Sequence, residues 1–385
     1  MESRELLSTM VGPEPHAAVP PQSSAVTGLH LVTSPTVTRS ILTATTAIAA
    51  NDIWSVGFAN LAPNPQQLLA EHWNGSSWSV VPTPNPGGAP GGSQFHGVAA
   101  AASNDVWAVG QTYFLDANGE PLVQPLVEHW NGSAWSIVAT PTFTNGGVLN
   151  AVTAISSTNV WAVGQLDGNG GNLIEHRDGT RWSTVTAPFN SRQDALLGVS
   201  GTSANDIWAV GRSQRHPNVE ILHFNGQTWS NVAAPSPFFE SVLSGVTVLA
   251  PNNVWAVGET NLGPIQTLIE HWDGTSWSVV PSPNSNGGSS NGNNVLSGIA
   301  AVSATDIWAA GYTTDPSTGL QQTLTEHWDG TSWSVIASPN AAPAGSSTLA
   351  GVTALGDGTV VAVGTISNSN SNSNNSNNNG LILQR

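Results

Sequence analysis

One hexapeptide recurs along the chain and constrains the fold more than any other feature. It reads DIWSVG at 52–57, DVWAVG at 105–110, NVWAVG at 159–164, DIWAVG at 206–211, NVWAVG at 253–258 and DIWAAG at 306–311. A seventh copy, TVVAVG at 359–364, has Val361 in place of the Trp. Successive copies lie 47 to 54 residues apart. Each follows a short apolar run such as LSGVTVLA (243–250) and precedes a variable loop, an LIEHWDG-like run and a WSVVPSP-like run. That makes four short β-type segments per unit, punctuated by Asn, Gly, Pro and Ser. No stretch keeps a helical period over a useful length.

Four strands in a repeat of about 50 residues predict a β-propeller blade. Strands rich in Val, Ile and Trp at successive positions suit a blade, whose two faces both pack against neighbours. The expected fold is therefore all-β: a seven-bladed propeller of four-stranded antiparallel blades. The final unit reaches only LILQR (381–385), which aligns with a third strand, whereas GLHLVTSP (28–35) matches SWSVVPSP (276–283) with Leu29 at the Trp position. Residues 28–34 are expected to form the outer strand of the last blade and so to close the ring. The domain expectation is a disordered tail over 1–25 and one propeller over 26–385. The Asn/Ser tract within 366–379 is low in complexity and expected to be a disordered loop.

Composition removes several functions. The formal charge is −16, all eight basic residues are Arg, and Lys is absent. Nucleic-acid binding and adhesion to anionic membranes both need cationic groups, so neither is expected. With no Lys a Schiff-base Lys is excluded. With no Cys there is no disulfide, thiolate nucleophile or Cys-bound zinc. No apolar run approaches the ~18 residues of a membrane helix. MESRELLSTMVGPEPHAAVP has no apolar core of the length a signal peptide needs. The chain reads as soluble and monomeric, its compartment open, an extracellular location included.

All 16 Trp fall in three repeat positions. Six lie in second strands (Trp54, Trp107, Trp161, Trp208, Trp255, Trp308) and six begin fourth strands (Trp78, Trp135, Trp182, Trp229, Trp277, Trp333). Both sets are expected to be core between blades. Four end third strands (Trp73, Trp130, Trp272, Trp328), with Arg177 and Phe224 in two other units. Lying beside a turn, this set is either core or a ligand platform. A column of His (His72, His129, His176, His223, His271, His327) usually follows a Glu. Equivalent positions of adjacent blades lie too far apart to share one metal ion. The His are expected to hydrogen-bond Asp52, Asp105, Asp206 or Asp306, with the Glu on the opposite strand face.

These features resemble bacterial β-propeller repeat proteins over residues 28–385. The turns NGSSW (74–78), NGSAW (131–135), DGTRW (178–182) and DGTSW (273–277 and 329–333) are similar to the Asp-box turns of sialidase-like propellers, though about one residue shorter. The Asp, His and Trp columns resemble the structural network of WD-repeat blades without their Gly-His and Trp-Asp words. The double glycine of kelch blades is absent. The resemblance implies a fold and leaves activity open, because propellers host binding modules, scaffolds, hydrolases, lyases and oxidases.

Within each unit the first-to-second and third-to-fourth turns are short and alike. Loops between second and third strands, and between blades, vary in length and chemistry, and variable loops on a rigid scaffold are where a site is expected. The candidates there are Tyr113, Asp116, Glu120, Asp167, Arg192, Asp194, Arg212, Arg215, His216, Phe239, Glu240, Glu259, Tyr312 and Asp315. Arg192, Arg212 and Arg215 match a sialidase arginine cluster weakly. The acids offer carboxylate pairs for glycoside hydrolysis, but spacing selects none. No motif calls for a cofactor. DANGE (116–120) and DGNGGN (167–172) resemble fragments of calcium loops and read equally well as Asn-Gly turns. Three functions stay open: a non-catalytic binding or scaffold module for carbohydrate or another extracellular polymer, a carbohydrate-active hydrolase or lyase, and a platform for protein partners.

Overall fold

The computed structural model describes residues 28–35, 37–60, 66–86, 91–116, 118–168, 170–188, 191, 193–213, 219–235, 240–261, 264–284, 292–342, 345–368 and 377–385. Seven four-stranded antiparallel sheets form blades 1 to 7. Their first and second strands are Ser40–Ala49 and Asp52–Asn60, Ser93–Ala102 and Asp105–Leu115, Gly147–Ser156 and Asn159–Leu166, Ala195–Ser203 and Asp206–Arg212, Val242–Ala250 and Asn253–Asn261, Asn294–Ser303 and Asp306–Thr314, and Ser346–Ala354 and Val360–Asn368. Third strands such as Pro121–Trp130 and short fourth strands such as Trp135–Ile137 complete each blade outward. The first strands touch one another in sequence, and the last returns to the first. They therefore line a central channel. No helix among the described residues is long and apolar enough to cross a membrane.

The outer strand of blade 7 comes from the N-terminal side, as expected. His30–Leu31 pairs antiparallel with Asn377–Gln384 through His30↔Gln384 and Leu31↔Leu383, and Val32 N donates to Ile382 O at 3.0 Å. Leu29 sits in the cluster with Trp308, Leu349 and Leu383, where the other clusters carry a fourth-strand Trp. The tail 1–25 and residues 369–376 lie outside the described residues. On either side of that gap Ile366↔Asn379, Ser367↔Asn378 and Asn368↔Asn377 are paired. Residues 366–368 and 377–379 of the tract expected as a loop are thus strand, because strands already in register extend their ladder into residues of low β-propensity.

The cores lie between blades. Trp54 of blade 1 meets Trp135 of blade 2 edge-on at 5.3 Å, and Trp107, Trp161, Trp208 and Trp255 meet the next blade's Trp182, Trp229, Trp277 and Trp333 in the same manner. The third-strand Trp belong to this system. Trp130 lies 5.0 Å from Trp54, and its Nε1 donates to Ser103 O at 3.2 Å. Arg177 takes the corresponding place over Trp107 at 4.8 Å and Phe224 over Trp161 at 4.7 Å. Arg385, at the Trp position of the LILQR strand, does so over Trp308 at 5.4 Å.

Each His is an anchor. His72, His129, His223 and His327 bond Asp52, Asp105, Asp206 and Asp306 at 2.8 to 3.0 Å, while His176 and His271 bond Asn159 and Asn253. The same Oδ1 accepts the Trp indole N–H in five blades. An Asn Oδ1 can only accept, so Nε2 of His176 and His271 must carry the proton.

Every first strand shares a bulge in which Thr43, His96, Asn150, Leu197, Ser244, Ser297 or Ala350 is the extra residue, and those of blades 1 to 6 have a second irregularity just before the turn. The glycine ending each hexapeptide sits opposite. A Cβ on Gly57, Gly110, Gly164, Gly211, Gly258, Gly311 or Gly364 would stand 1.9 to 2.0 Å from a first-strand carbonyl oxygen. No other residue fits that approach, which explains why the word always ends in Gly.

Facing away from the His, Glu71, Glu128, Glu175, Glu270 and Glu326 are fully buried. Burial pushes Glu71 and Glu175 up to about 7, and Glu128, Glu270 and Glu326 up to about 8. Three accept a hydroxyl from the preceding blade's outer segment: Glu71 from Ser34 (3.1 Å), Glu326 from Ser282 (3.0 Å) and Glu175 from Thr140. Both oxygens of Glu128 and Glu270 lack a protein partner. In blade 4 the column carries Leu222, and Ala187 replaces the hydroxyl in the same apolar cluster.

Candidate functional site

The two ends of the ring differ chemically. At one end the turns are near-copies. Asn74 Oδ1 accepts the N–H groups of Ser76 and Ser77, each at 3.0 Å, and Asp178, Asp273 and Asp329 repeat the motif. The cap hydrogen bonds hold those three acids well below the usual carboxylate range. Gly75, with φ 93°, turns against Asn51 of the neighbouring turn, which leaves no room for a side chain.

The other end carries the variable segments, where blade-to-blade connections of the described residues meet the ends of second strands. Tyr113 N donates to Gly92 O at 2.9 Å, and Asp167 N donates to Gly146 O at 3.1 Å. The Tyr113 ring covers Gly91, and its hydroxyl accepts from Gln111 Nε2 at 3.0 Å. Asp116 caps its own turn: Oδ1 accepts Asn118 N and Glu120 N, both at 2.8 Å, and these bonds lower its pKa. Asp315 does the same with Ser317 N and Thr318 N. Asp194 is buried and ties Ser191 N (2.8 Å) to Ser213 Oγ (3.0 Å). Asp167 is pushed up by burial beside Gly146. Glu240 adopts a left-handed φ of 64° at the entry to blade 5. Arg192, Arg215, His216 and Phe239 lie outside the described residues.

Of the sequence candidates, Arg212, Glu259 and Tyr312 share one register position in consecutive blades 4, 5 and 6, directly after the hexapeptide glycine. Arg212 is exposed; Glu259 and Tyr312 are half-buried. Burial raises Glu259, and the Tyr312 hydroxyl is raised by its own burial and by the Glu259 charge. The two side chains therefore sense one another across a blade boundary. The same column holds Phe58, Gln111, Gln165 and Thr365 in the other blades. Asp116 and Glu120 share the blade 2 hairpin tip while Asp315 sits at that of blade 6, and no group of three His, Cys, Asp or Glu among the described residues is placed to hold a metal.

The channel holds residues that the sequence reading did not single out. Three residues from each first strand line a space of about 170 Å³. His96 there bonds Leu149 O through Nδ1 at 3.1 Å, Asn150 donates to Leu196 O at 2.9 Å, and Thr43 donates to Phe95 O at 2.9 Å. The signal was a column that changes identity within an otherwise repetitive strand. Burial lowers the His96 pKa.

No protein-family model and no curated protein matches the chain. Among solved structures it is similar to YCF48 bound to a D1 peptide, with a TM-score of 0.58 and 13% identity over 94% of this chain and 96% of that one. It is similar to YCF48 from Cyanidioschyzon merolae, with a TM-score of 0.57 and 14% identity over 93% and 98%. The phage phi92 endosialidase gives 0.51 and 10% identity over 92% of this chain and 68% of that one. At such identities the likeness speaks for the fold alone, and it agrees with the sheet order: the chain is a seven-bladed β-propeller.

Proposed function

We propose that this propeller is a non-catalytic binding module that holds an extended protein partner on its variable face. The supporting observation is the column after the hexapeptide glycine. Phe58, Gln111, Gln165, Arg212, Glu259, Tyr312 and Thr365 differ in chemistry while the strand before them is nearly constant. A repeated lectin would repeat its contacts, whereas seven unlike side chains on a rigid ring suit a partner that touches several blades differently. Arg212, Glu259 and Tyr312 supply a cation, an acid and a phenol along one arc. Asp116 and Asp315 are committed to caps within their own loops and Asp194 to a tie between two loops, which favours binding over carboxylate catalysis. YCF48, a propeller of similar fold, was solved with a peptide, so peptides are the first class to try. Carbohydrate is the second reading, favoured by the Tyr312 ring beside the Glu259 carboxylate.

The test screens the full chain against peptide and glycan arrays, with a parallel assay for reducing-end release and for unsaturated products. Peptide binding that weakens at least tenfold in an Arg212→Ala, Glu259→Gln, Tyr312→Phe triple variant, with no turnover, is the expected result. Glycan binding lost in the same variant moves the reading to carbohydrate, and turnover overturns the non-catalytic assignment.

A further inference from the structure

Blade 2 lacks a fastening that blades 5 and 6 carry at their outer edge. In blades 5 and 6 the third-strand residues Thr267 and Thr323 donate their N–H to Asn284 Oδ1 (3.1 Å) and Asn340 Oδ1 (2.8 Å). Those Asn end the Ser-Pro-Asn that follows each fourth strand, and the Ser hydroxyls meet the Thr hydroxyls at 2.6 and 2.8 Å. The fastening pins the departing segment to the third strand. In blade 2 the equivalent residue is Pro125, which has no N–H, and Thr142 stands at the Asn position. Neither half of the fastening exists. The segment is held farther on, where Gln124 Nε2 donates to Phe143 O (2.6 Å) and Phe143 N donates to Gln124 Oε1 (2.9 Å).

A cleft of about 500 Å³ opens between strand and segment, lined chiefly by Phe114, Leu122, Pro125, Leu126, Ile137 and Phe143. The fourth strand ladder reaches only Glu128, His129 and Trp130, and beyond it Val138 N donates to Val127 O at 2.9 Å, so the floor of the cleft is the buried third strand around Gln124 and Leu126. Phe114, Leu115 and Ile137 are 43, 54 and 48% exposed at this edge. Apolar groups gathered at a cleft of this size are characteristic of a binding surface. The hairpin tip above carries Asp116, half-buried, and Glu120, exposed, with the Asp116 carboxylate favoured by its turn N–H groups. Among the described residues no Arg lines the cleft, and the whole chain is acidic.

We infer that the blade 2 cleft takes an apolar peptide segment flanked by Lys or Arg. The apolar side chains enter between Phe114, Ile137 and Phe143 while the basic flank meets Asp116 and Glu120. A fatty acid or an anionic lipid surface would bring its negative charge against those carboxylates, which disfavours both. This inference rests on the protein-partner reading and adds the place and the chemistry of the partner.

The experiment selects a phage-displayed library of random 12-residue peptides on the full chain, then measures synthetic winners by fluorescence anisotropy at low and high salt. Winners with an apolar centre and basic flanks are expected. They should lose at least tenfold in affinity to Ile137→Glu and to Thr142→Trp, which charges or fills the cleft, while Tm is unchanged. Added salt should weaken them as well. Phe114→Ser, at an exposed site, supplies the same reading if Thr142→Trp fails to fold. Winners indifferent to these changes but lost with the Arg212, Glu259, Tyr312 triple variant overturn the cleft and leave the protein-partner reading standing. Winners that need the cleft yet carry no basic flank overturn the stated chemistry. No enrichment at all sinks both, and binding of a free fatty acid in place of peptides replaces the partner by a lipid.

Discussion

At the scale of the residue, the five fully buried glutamates that precede a histidine have the clearest consequences. A carboxyl taken fully out of water without a counter-charge stays protonated, because the ion cannot recover its lost hydration. Glu270 is the sharpest case: its oxygens have no protein partner, and the residue that corresponds to Ser282 or Thr140 in the preceding blade is Ala234. Its folded pKa, about 8, lies above the ordinary value of 4.5. The folded state therefore binds the proton more tightly than the unfolded chain. The stability this provides is complete below pH 4.5 and is lost as pH rises towards 8, at up to ~1.4 kcal/mol per pH unit. Glu270→Gln should flatten that slope, so that its Tm gains on the wild type between pH 5 and pH 9. Parallel Tm curves over that range would show that Glu270 does not titrate in the fold. Ala234→Ser should give the carboxyl a donor and add about 1 kcal/mol at pH 6 in denaturant unfolding. No gain there would mean that the two positions do not meet.

At the scale of the element, the strand pairs depend on a bulge and a glycine together. Inserting Thr43, His96 or its equivalents into the first strand pushes the facing carbonyl towards the second strand, and only a residue without Cβ can stand opposite. Gly311→Ala should place a methyl 1.9 Å from Val295 O and cost more than ~4 kcal/mol, the range reserved for strained or overpacked cores. Urea unfolding tests this, and a loss below 1 kcal/mol would mean that the bulge can relax. The hexapeptide was legible as a strand and its glycine as a fixed letter. The reason for the letter was not, because the bulge sits in a different strand.

At the scale of the whole molecule, closure makes the ring one object. Leu29 fills the place of a Trp, and His30–Leu31 ties the chain's beginning to the strand that holds Leu383. Removing residues 1–35 should expose the edge of Asn377–Gln384 and the cluster under it. At ~2–5 kcal/mol for a buried Leu alone, Tm should fall steeply and unfolding should begin at blade 7, which hydrogen exchange can locate. An unchanged Tm would show that blade 7 does not need its outer strand. The ring also explains why candidate acids that look alike in sequence part company. Asp116 and Asp315 cap hairpin tips of different blades, whereas Glu259 and Tyr312 take the same register position in adjacent blades, where the Glu259 charge reaches Tyr312.

The sequence by itself determined the number of blades, the four-strand unit, the borrowed outer strand and the Trp columns of the core. Period, strand propensity and side-chain alternation are local properties, and a repeat states them seven times. Tertiary structure alone decided which residues meet across blades: Ser34 with Glu71, Arg385 over Trp308, the bulge residues round the channel, and the cleft left where Pro125 and Thr142 stand. Those contacts join residues tens to hundreds of positions apart. They depend on how far one blade is rotated from the next and on the path each connection takes, which neither local propensity nor the period contains.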